Sequence, residues 1–231
     1  MAARANYLSA DRPDIQYAVK EICRRMAKPV NGDWQKLVRL GRYLKGAPRC
    51  VLGYVWQSRC KAPIGYSDSD WAGDRKTGKS TSGGIIIVDS HLIKSWSRTQ
   101  DSVTLSSAEA ELVALSKLAM EMLGVRSMAS EWHMMDERAA SQLFVDASAA
   151  LSIAKRHGVG RMRHINGETL WLQEKSVQLE LDYVKVKGED NPADGLTKHV
   201  RQELAERDLV TTGLQLGKDR AKTSLRLAGD S

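Results

Sequence analysis

The spacing of apolar and polar positions changes along this chain and divides it into regions. Residues 1–48 carry apolar side chains at helical spacing, which predicts two helices. The first runs from about Ile15 to Met26, and the second follows Asp33, which can cap it. The second helix also has a basic set, which is equally typical of a solvated face and of a phosphate-contacting face. Its members are Lys36, Arg39, Arg42 and Lys45.

From residue 51 the period becomes two, which predicts antiparallel strands. The predicted strands are 51–56 and 63–68, followed by a hairpin of 83–88 and 92–97. In the second strand Ile64, Tyr66 and Asp68 alternate onto one face, so that Asp68 ends the strand.

The strongest helical pattern covers residues 106–132. Ser106 and Glu109 form an S-x-x-E capping box at its start. At ~100° per residue, Glu111 falls within the apolar arc of this helix, whereas Glu109 lies about 40° beyond its edge. A carboxylate on a buried face is costly unless it is paired or binds a cation. Glu109 therefore has a structural role as a cap, and Glu111 needs another explanation.

The second half of the pattern alternates strands and helices. Residues 142–145 predict a short strand that ends at Asp146, before a helix from 148 to about 156. A helix through 175 follows the basic cluster Arg161, Arg163 and His164, and then a strand at 179–186 has Leu179, Leu181 and Tyr183 on one side. Asn191 and Pro192 can open a last helix with Asp194 in its first turn. The tail 213–231 is polar, basic and weakly patterned, which favours disorder.

Composition adds bounds to this picture. With 231 residues, a formal net charge of +7 and three cysteines that lack C-x-x-C spacing, the chain suits a polyanionic partner and a reducing compartment. No apolar run is long enough to cross a bilayer. We therefore expect a soluble intracellular protein of the cytoplasm or nucleus, built as one domain with an appendage.

Four isolated acids lie where predicted elements begin or end. They are Asp68, Glu111, Asp146 and Asp194. Each has an ordinary structural explanation in a turn, a cap or a helix dipole. If the fold gathers them, each like-charge pair ~4 Å apart repels by about 4 kcal/mol, and divalent cations remove that cost. An all-carboxylate site favours Mg²⁺ or Mn²⁺ over zinc, and two such ions predict phosphodiester hydrolysis.

Several motifs in this order resemble the ribonuclease H domain of copia-type LTR retrotransposon polyproteins. The motifs are YSDSDWAGD at 66–74, STSGG at 80–84, SWS at 95–97, LSSAEAEL at 105–112, DASAA at 146–150, RHI at 163–165 and ADGLTK at 193–198. Residues 5–48 resemble the segment that joins reverse transcriptase to ribonuclease H in those polyproteins.

The resemblance implies an α/β fold, a ribonuclease H-like mixed five-stranded sheet flanked by helices, with an N-terminal helical hairpin. It implies a helical segment at 1–50 and a ribonuclease H-like domain at 51–212, before the tail. It also implies that the same four acids, Asp68, Glu111, Asp146 and Asp194, are the catalytic ligands of two Mg²⁺ or Mn²⁺ ions. The implied substrate is the RNA strand of an RNA/DNA hybrid, and an upstream reverse transcriptase domain is an implied partner. The strand at 51–56 exceeds the five.

Three departures from related enzymes concern rate and metal affinity more than fold. The loop before Asp194 has no His, Ala147 follows Asp146 where an Asn is frequent, and Gly195 weakens the start of a helix by up to ~1 kcal/mol. An inactive nucleic-acid-binding remnant of a retroelement is therefore the alternative to an active nuclease. An integrase-like enzyme fits less well, because it places no acid on the helix between the two strand-end aspartates.

Contacts to the nucleic acid backbone are expected near the first strands and the long helix. The candidates are Lys79, Lys94 and Arg98, together with Gly83 and Gly84, whose lack of a side chain permits close approach of another backbone.

Overall fold

The computed structural model describes residues 1–57, 62–158, 166–200, 207, 208 and 210–219. The basic cluster of Arg161, Arg163 and His164, and the chain beyond 219, lie outside this described part. The helices are α1 Ala2–Leu8, α2 Gln16–Cys23, α3 Asn31–Gly46, α4 Ser107–Glu131, α5 Ser148–Lys155 and α6 Asn166–Val177. The strands are β1 Arg49–Leu52, β2 Ile64–Asp70, β3 Thr81–Val88, β4 His91–Thr99, β5 Ser141–Val145, β6 Leu181–Lys185 and β7 Leu214–Gly217.

A mixed five-stranded sheet forms the centre of the molecule. Its order is β4-β3-β2-β5-β6, with antiparallel pairing among β2, β3 and β4 and parallel pairing of β5 with β2 and β6. A two-residue turn joins the antiparallel neighbours β3 and β4, and helices α5 and α6 lie in the crossover between the parallel neighbours β5 and β6. The predicted hairpin and the α/β fold with five strands are confirmed.

The main core lies between one face of this sheet and helices α4, α5 and α6. Ile86, Leu118, Leu143 and Tyr183 are completely or almost completely buried there. A Cβ on Gly65 would lie 2.8 Å from Leu118 Cδ1, so the bare glycine lets α4 pack directly against β2. This close packing fixes the helix that carries Glu111.

The extra strand predicted at 51–56 has a partner from the far end of the chain. Only residues 51 and 52 of this prediction lie in a strand, because the observed strand is β1, Arg49–Leu52, which pairs antiparallel with β7 as a separate two-stranded sheet. Its Leu52 packs with Ile64, Ile85 and Leu196 on the face of the main sheet opposite α4. The prediction of a disordered tail from 213 is thus wrong for 214–217, because apolar Leu214 is buried in this pairing.

The N-terminal segment forms three helices where the pattern predicted two. The short helix α1 was missed, and α1 to α3 enclose a small core of their own around Ile15, Val19 and Ile22. The segment also contacts the sheet directly: Gln16 Nε2 lies 3.3 Å from the Ser95 carbonyl oxygen on β4. The four basic side chains of α3 are exposed, as both explanations of them require.

Two local predictions are wrong. Asp194 lies in a short 3₁₀ turn, Asp194–Leu196, and not in the first turn of an α-helix within the described residues. Leu179 has a φ of 58° and is 74% exposed, so it lies in the turn before β6 and not on the buried face with Leu181. In the described part of the chain, no helix has both the length and the apolar character to cross a membrane.

Candidate metal-binding active site

Parallel pairing of β2 with β5 places two of the acids side by side. Ser67 is opposite Val145 in the register, so the residues that follow them, Asp68 and Asp146, lie at the same edge of the sheet. Asp68 is 3% exposed, and Asp146 is half-buried. Asp146 follows β5 directly, as predicted, whereas β2 continues two residues beyond Asp68 to Asp70, so Asp68 lies near the end of its strand and does not end it.

Helix α4 brings the third acid to the same edge. Ser106 Oγ accepts a hydrogen bond from the Glu109 amide at 3.2 Å, which fixes the start of the helix. Glu109 in turn accepts from the Leu105 amide at 2.7 Å, so it acts in the cap as predicted. Glu111 points to β2 instead, where its Oε1 accepts from the Ser69 amide at 3.1 Å.

Carboxylate oxygens of Asp68, Glu111 and Asp146 all lie within 4.8 Å of one another. Glu111 is 7% exposed, and its second oxygen, Oε2, is buried without a hydrogen-bond partner. A buried carboxylate oxygen without a partner costs free energy, because it has lost its hydrogen bonds to water. A bound cation would supply the missing partner.

Asp194 lies close to this trio but outside it. Its Oδ1 contacts Lys198 Nζ at 2.5 Å. Burial is the main cause that raises the pKa values of Asp68 and Asp146, and the charge of Asp194 adds to it, so the fourth acid shares their electrostatic environment. The structure therefore brings together three of the four predicted acids and holds the fourth beside them in an ion pair.

Burial and mutual repulsion disfavour the ionised forms of these acids. Burial, followed by the charges of Asp68 and Asp146, raises the pKa of Glu111 to about 8. Burial raises the pKa of Asp68 to about 6. The hydrogen bond that its carboxylate accepts from Thr197 Oγ1 opposes this shift. Burial also raises the pKa of Asp146, although the nearby Lys185 ammonium opposes this shift.

These features fit a hard divalent cation. All the ligand atoms are carboxylate oxygens, the donors preferred by Mg²⁺ and Mn²⁺, and no His or Cys belongs to this cluster. Bound cations would stabilise the ionised carboxylates and give the buried Glu111 Oε2 a partner.

Sequence reasoning missed three side chains near the acids. Thr197 donates to Asp68, Lys198 pairs with Asp194, and Lys185 Nζ contacts the Asp146 carbonyl oxygen. Thr197 and Lys198 belong to the ADGLTK motif, so their spacing from Asp194 was the available signal. Lys185 lies at the end of β6, and only the register opposite Val145 places it near Asp146.

The predicted contacts to nucleic acid divide into two groups. Arg98 is exposed on β4. It is paired with Ser82 on β3, which is paired in turn with Ser69 on β2, so Arg98 lies at the same edge of the sheet as the carboxylates. Lys79 is half-buried in the loop before β3, at the same edge. Lys94 instead lies level with Gly65, about 13 Å farther along the strands than Arg98, and forms an ion pair with Glu121.

The two glycines serve internal packing, so their predicted role in nucleic acid contact is wrong. Both are buried. A Cβ on Gly84 would lie 2.1 Å from the Trp96 ring, and one on Gly83 would lie 2.8 Å from Leu196 Cβ. The close approach that glycine permits is therefore to the protein's own side chains, including those beside Asp194.

Comparison with known proteins identifies relatives over most of the chain. No protein-family model matches it. The retrovirus-related Pol polyprotein from transposon TNT 1-94 of Nicotiana tabacum is 30% identical over 198 residues, covering 84% of this chain and 14% of the polyprotein. The corresponding polyprotein from transposon RE1 of Arabidopsis thaliana is 32% identical over 192 residues, covering 83% of this chain and 13% of the polyprotein. This chain thus spans only a small part of the length of these relatives.

A solved structure is also similar to part of this chain. LC11-RNase H1, isolated from compost by a metagenomic approach, has a TM-score of 0.47 and 17% identity, covering 64% of this chain and 99% of its own.

Proposed function

Since the chain is a homologue of the retrovirus-related Pol polyproteins of copia-type plant transposons, we propose that it is their ribonuclease H unit and hydrolyses the RNA strand of RNA/DNA hybrids. The observation that carries the proposal is the carboxylate trio. Asp68, Glu111 and Asp146 come from three separate elements, yet their oxygens converge within 4.8 Å. A structural or protein-interaction role gives no reason to bury Glu111 Oε2 without a partner there.

The proposed metal ligands are Asp68, Glu111, Asp146 and Asp194. The ions would be Mg²⁺ or Mn²⁺, and two of them would activate a water and stabilise the leaving oxygen of the phosphodiester. The chain's own residues position the acids: the Ser69 amide orients Glu111 and Thr197 orients Asp68. Proton uptake by Asp68 or Glu111 would compete with metal binding, because only the ionised carboxylates are strong ligands.

The substrate side of the proposal rests on the surface around the acids. Arg98 and Lys79 flank the carboxylate edge, and the whole chain carries a net charge of +7. Such side chains bind phosphates without reading bases, which suits recognition of a hybrid by its shape and 2′-hydroxyls. We propose Lys79 and Arg98 as backbone contacts.

The domain boundaries are part of the same proposal. Residues 1–50 would form the helical segment that follows reverse transcriptase in the polyprotein, and residues 51–212 the ribonuclease H-like domain. An upstream reverse transcriptase domain is then the proposed protein partner.

Replacement of one strand-end acid tests the proposed chemistry. Asp146→Asn should reduce cleavage of a hybrid in Mg²⁺ by at least about a thousandfold while the circular dichroism spectrum is retained, because a neutral amide is a poor ligand. Asp182→Asn is the matched control, since Asp182 is half-exposed on β6 and outside the cluster. If a well-folded wild type binds the hybrid and does not cleave it, the chain is the inactive nucleic-acid-binding remnant instead.

A further inference from the structure

The ion pair between Asp194 and Lys198 raises a question about how the site accepts metal. Asp194 Oδ1 and Lys198 Nζ are 2.5 Å apart, and the Asp194 side chain is 18% exposed. The proposed ligand set has four acids, yet the group whose oxygens lie within 4.8 Å of one another contains three. Thus a lysine ammonium already neutralises the fourth acid.

The backbone of a single short segment fixes this arrangement. The amides of Thr197 and Lys198 both donate to the Asp194 carbonyl oxygen, at 3.1 and 3.3 Å. This turn directs Thr197 Oγ1 to the Asp68 carboxylate and Lys198 to the Asp194 carboxylate. Two neighbouring side chains therefore contact two different acids, Asp68 in the trio and Asp194 beside it.

The Lys198 ammonium interacts with more than its direct partner. Burial alone would lower the pKa of Lys198, but the hydrogen bond from its ammonium to Asp194 and the charges of Asp194, Asp68 and Asp146 raise it overall. The positive charge consequently lies in the field of three of the four proposed ligands. A divalent cation that approaches the same acids would be repelled by the Lys198 ammonium.

We propose that Lys198 is the resident counter-ion of this site and competes with a divalent cation for the Asp194 carboxylate. The inference rests on the proposed function, because it concerns the same metal site. Lys198 is 52% exposed, so its side chain has open space into which it can move. Lys198 thus stabilises the metal-free cluster and lowers its affinity for metal.

The test is titration of MnCl₂ into the whole chain by isothermal calorimetry, with metal-induced change in Tm as a second readout. Lys198→Gln should bind Mn²⁺ roughly three- to tenfold more tightly than the wild type, because it removes the competing charge from a partly exposed site. Lys198→Arg, which keeps the charge, should remain close to wild type.

Lys155→Gln is the control for loss of one positive charge. Lys155 lies at the C-terminal end of α5, pairs with Asp182 at 3.7 Å and has no contact with the acid cluster. Its replacement should leave the Mn²⁺ affinity unchanged.

The outcomes separate this inference from the proposed function. If the wild type binds Mn²⁺ and Lys198→Gln leaves the affinity unchanged or weakens it, the counter-ion role is overturned. The nuclease proposal then remains intact. If the wild type shows neither heat nor a Tm shift with Mn²⁺, the metal site itself is contradicted, and the counter-ion role with it. A variant that is folded without metal, as judged by circular dichroism, makes either result interpretable.

Discussion

At the scale of single residues, the clearest contrast is between Glu109 and Glu111. Both are buried glutamates in the first turns of α4. Glu109 accepts a hydrogen bond from the Leu105 amide, whereas Glu111 has one oxygen on the Ser69 amide and one with no partner. The difference of two positions turns one carboxylate to the cap and the other to the acid cluster.

This contrast predicts different effects for the same substitution. Glu109→Gln should lower the free energy of unfolding by about 1 kcal/mol or less and leave cleavage largely intact, since the amide oxygen can still accept from Leu105. Glu111→Gln should abolish the Tm rise produced by Mg²⁺ together with hybrid cleavage. Thermal melts with and without MgCl₂ measure both, and the reverse pattern would show that the helix face has been misassigned.

Glu111 also predicts how stability depends on pH in the absence of metal. Its pKa is raised from 4.5 to about 8 in the folded chain, so folding favours its protonated form. The resulting stabilisation is present below about pH 4.5 and is lost as the pH rises through about 8.

Urea unfolding in EDTA at pH 5 and pH 9 checks this prediction against Glu111→Gln, which cannot ionise. Relative to that variant, the wild type should lose on the order of a few kcal/mol between the two pH values. Excess Mg²⁺ should shrink the loss, because the ion stabilises the carboxylate. An equal pH response in both proteins would contradict the burial of an ionisable Glu111.

Sequence reasoning named all four acids, and the positions of three follow from local pattern. Asp68 lies near the end of a strand with readable alternation, Asp146 follows an apolar strand, and Glu111 follows a capping box. The contact of Asp194 with Lys198 depends on a 3₁₀ turn, whose geometry the Asn191-Pro192 signal did not predict. The glycine error at 83 and 84 has a related cause: a glycine permits close approach, but the sequence does not say what approaches.

At the scale of elements, the N-terminal helices are integrated with the sheet. Gln16 Nε2 of α2 is shared between the Ser9 and Ser95 carbonyl oxygens, at 3.0 and 3.3 Å. Lys20 donates to Thr81 Oγ1 at 2.7 Å, and the Tyr17 ring meets the His199 ring edge-on at 5.0 Å. Helix α2 thus contacts both the edge strand β4 and the segment that follows Asp194.

This contact predicts a stability effect at Gln16. Gln16→Leu should lower the free energy of unfolding by about 1–3 kcal/mol, because it leaves buried carbonyl oxygens without a donor. Gln35→Leu on the exposed face of α3 is the control and should change it by no more than about 0.5 kcal/mol. Equal effects in urea unfolding would show that α2 is not tied to the sheet through this side chain.

Long-range pairing limits what the pattern of elements can predict. Helix α4 was predicted within a residue at each end, because its capping box and apolar arc are local signals. The partner of β1 was missed, because β7 lies at the other end of the chain in a segment that reads as polar. The short helix α1 was missed as well, since its contribution is to a core shared with α2 and α3.

At the scale of the whole molecule, one sheet edge combines the features of the proposed nuclease. The edge carries the acid cluster, and it is flanked by Arg98, Lys79 and the segment from Asp194 to His199. The net charge of +7 predicts that hybrid binding weakens steeply as salt is raised. Filter binding in EDTA between about 50 and 200 mM KCl would measure how steeply the affinity falls with salt, because counter-ion release is strong in this range. An affinity that does not change with salt would argue against recognition of the nucleic acid backbone.

The most direct test of the account is cleavage by the purified chain of an RNA/DNA hybrid with a labelled RNA strand. With Mg²⁺ or Mn²⁺ present, we expect the RNA of the hybrid to be cut internally, while double-stranded DNA of the same sequence stays intact and EDTA stops the reaction. Hybrid that remains uncut by a folded wild type at every metal concentration, or cleavage that continues in EDTA, would contradict the assignment of these acids to a metal-dependent ribonuclease H.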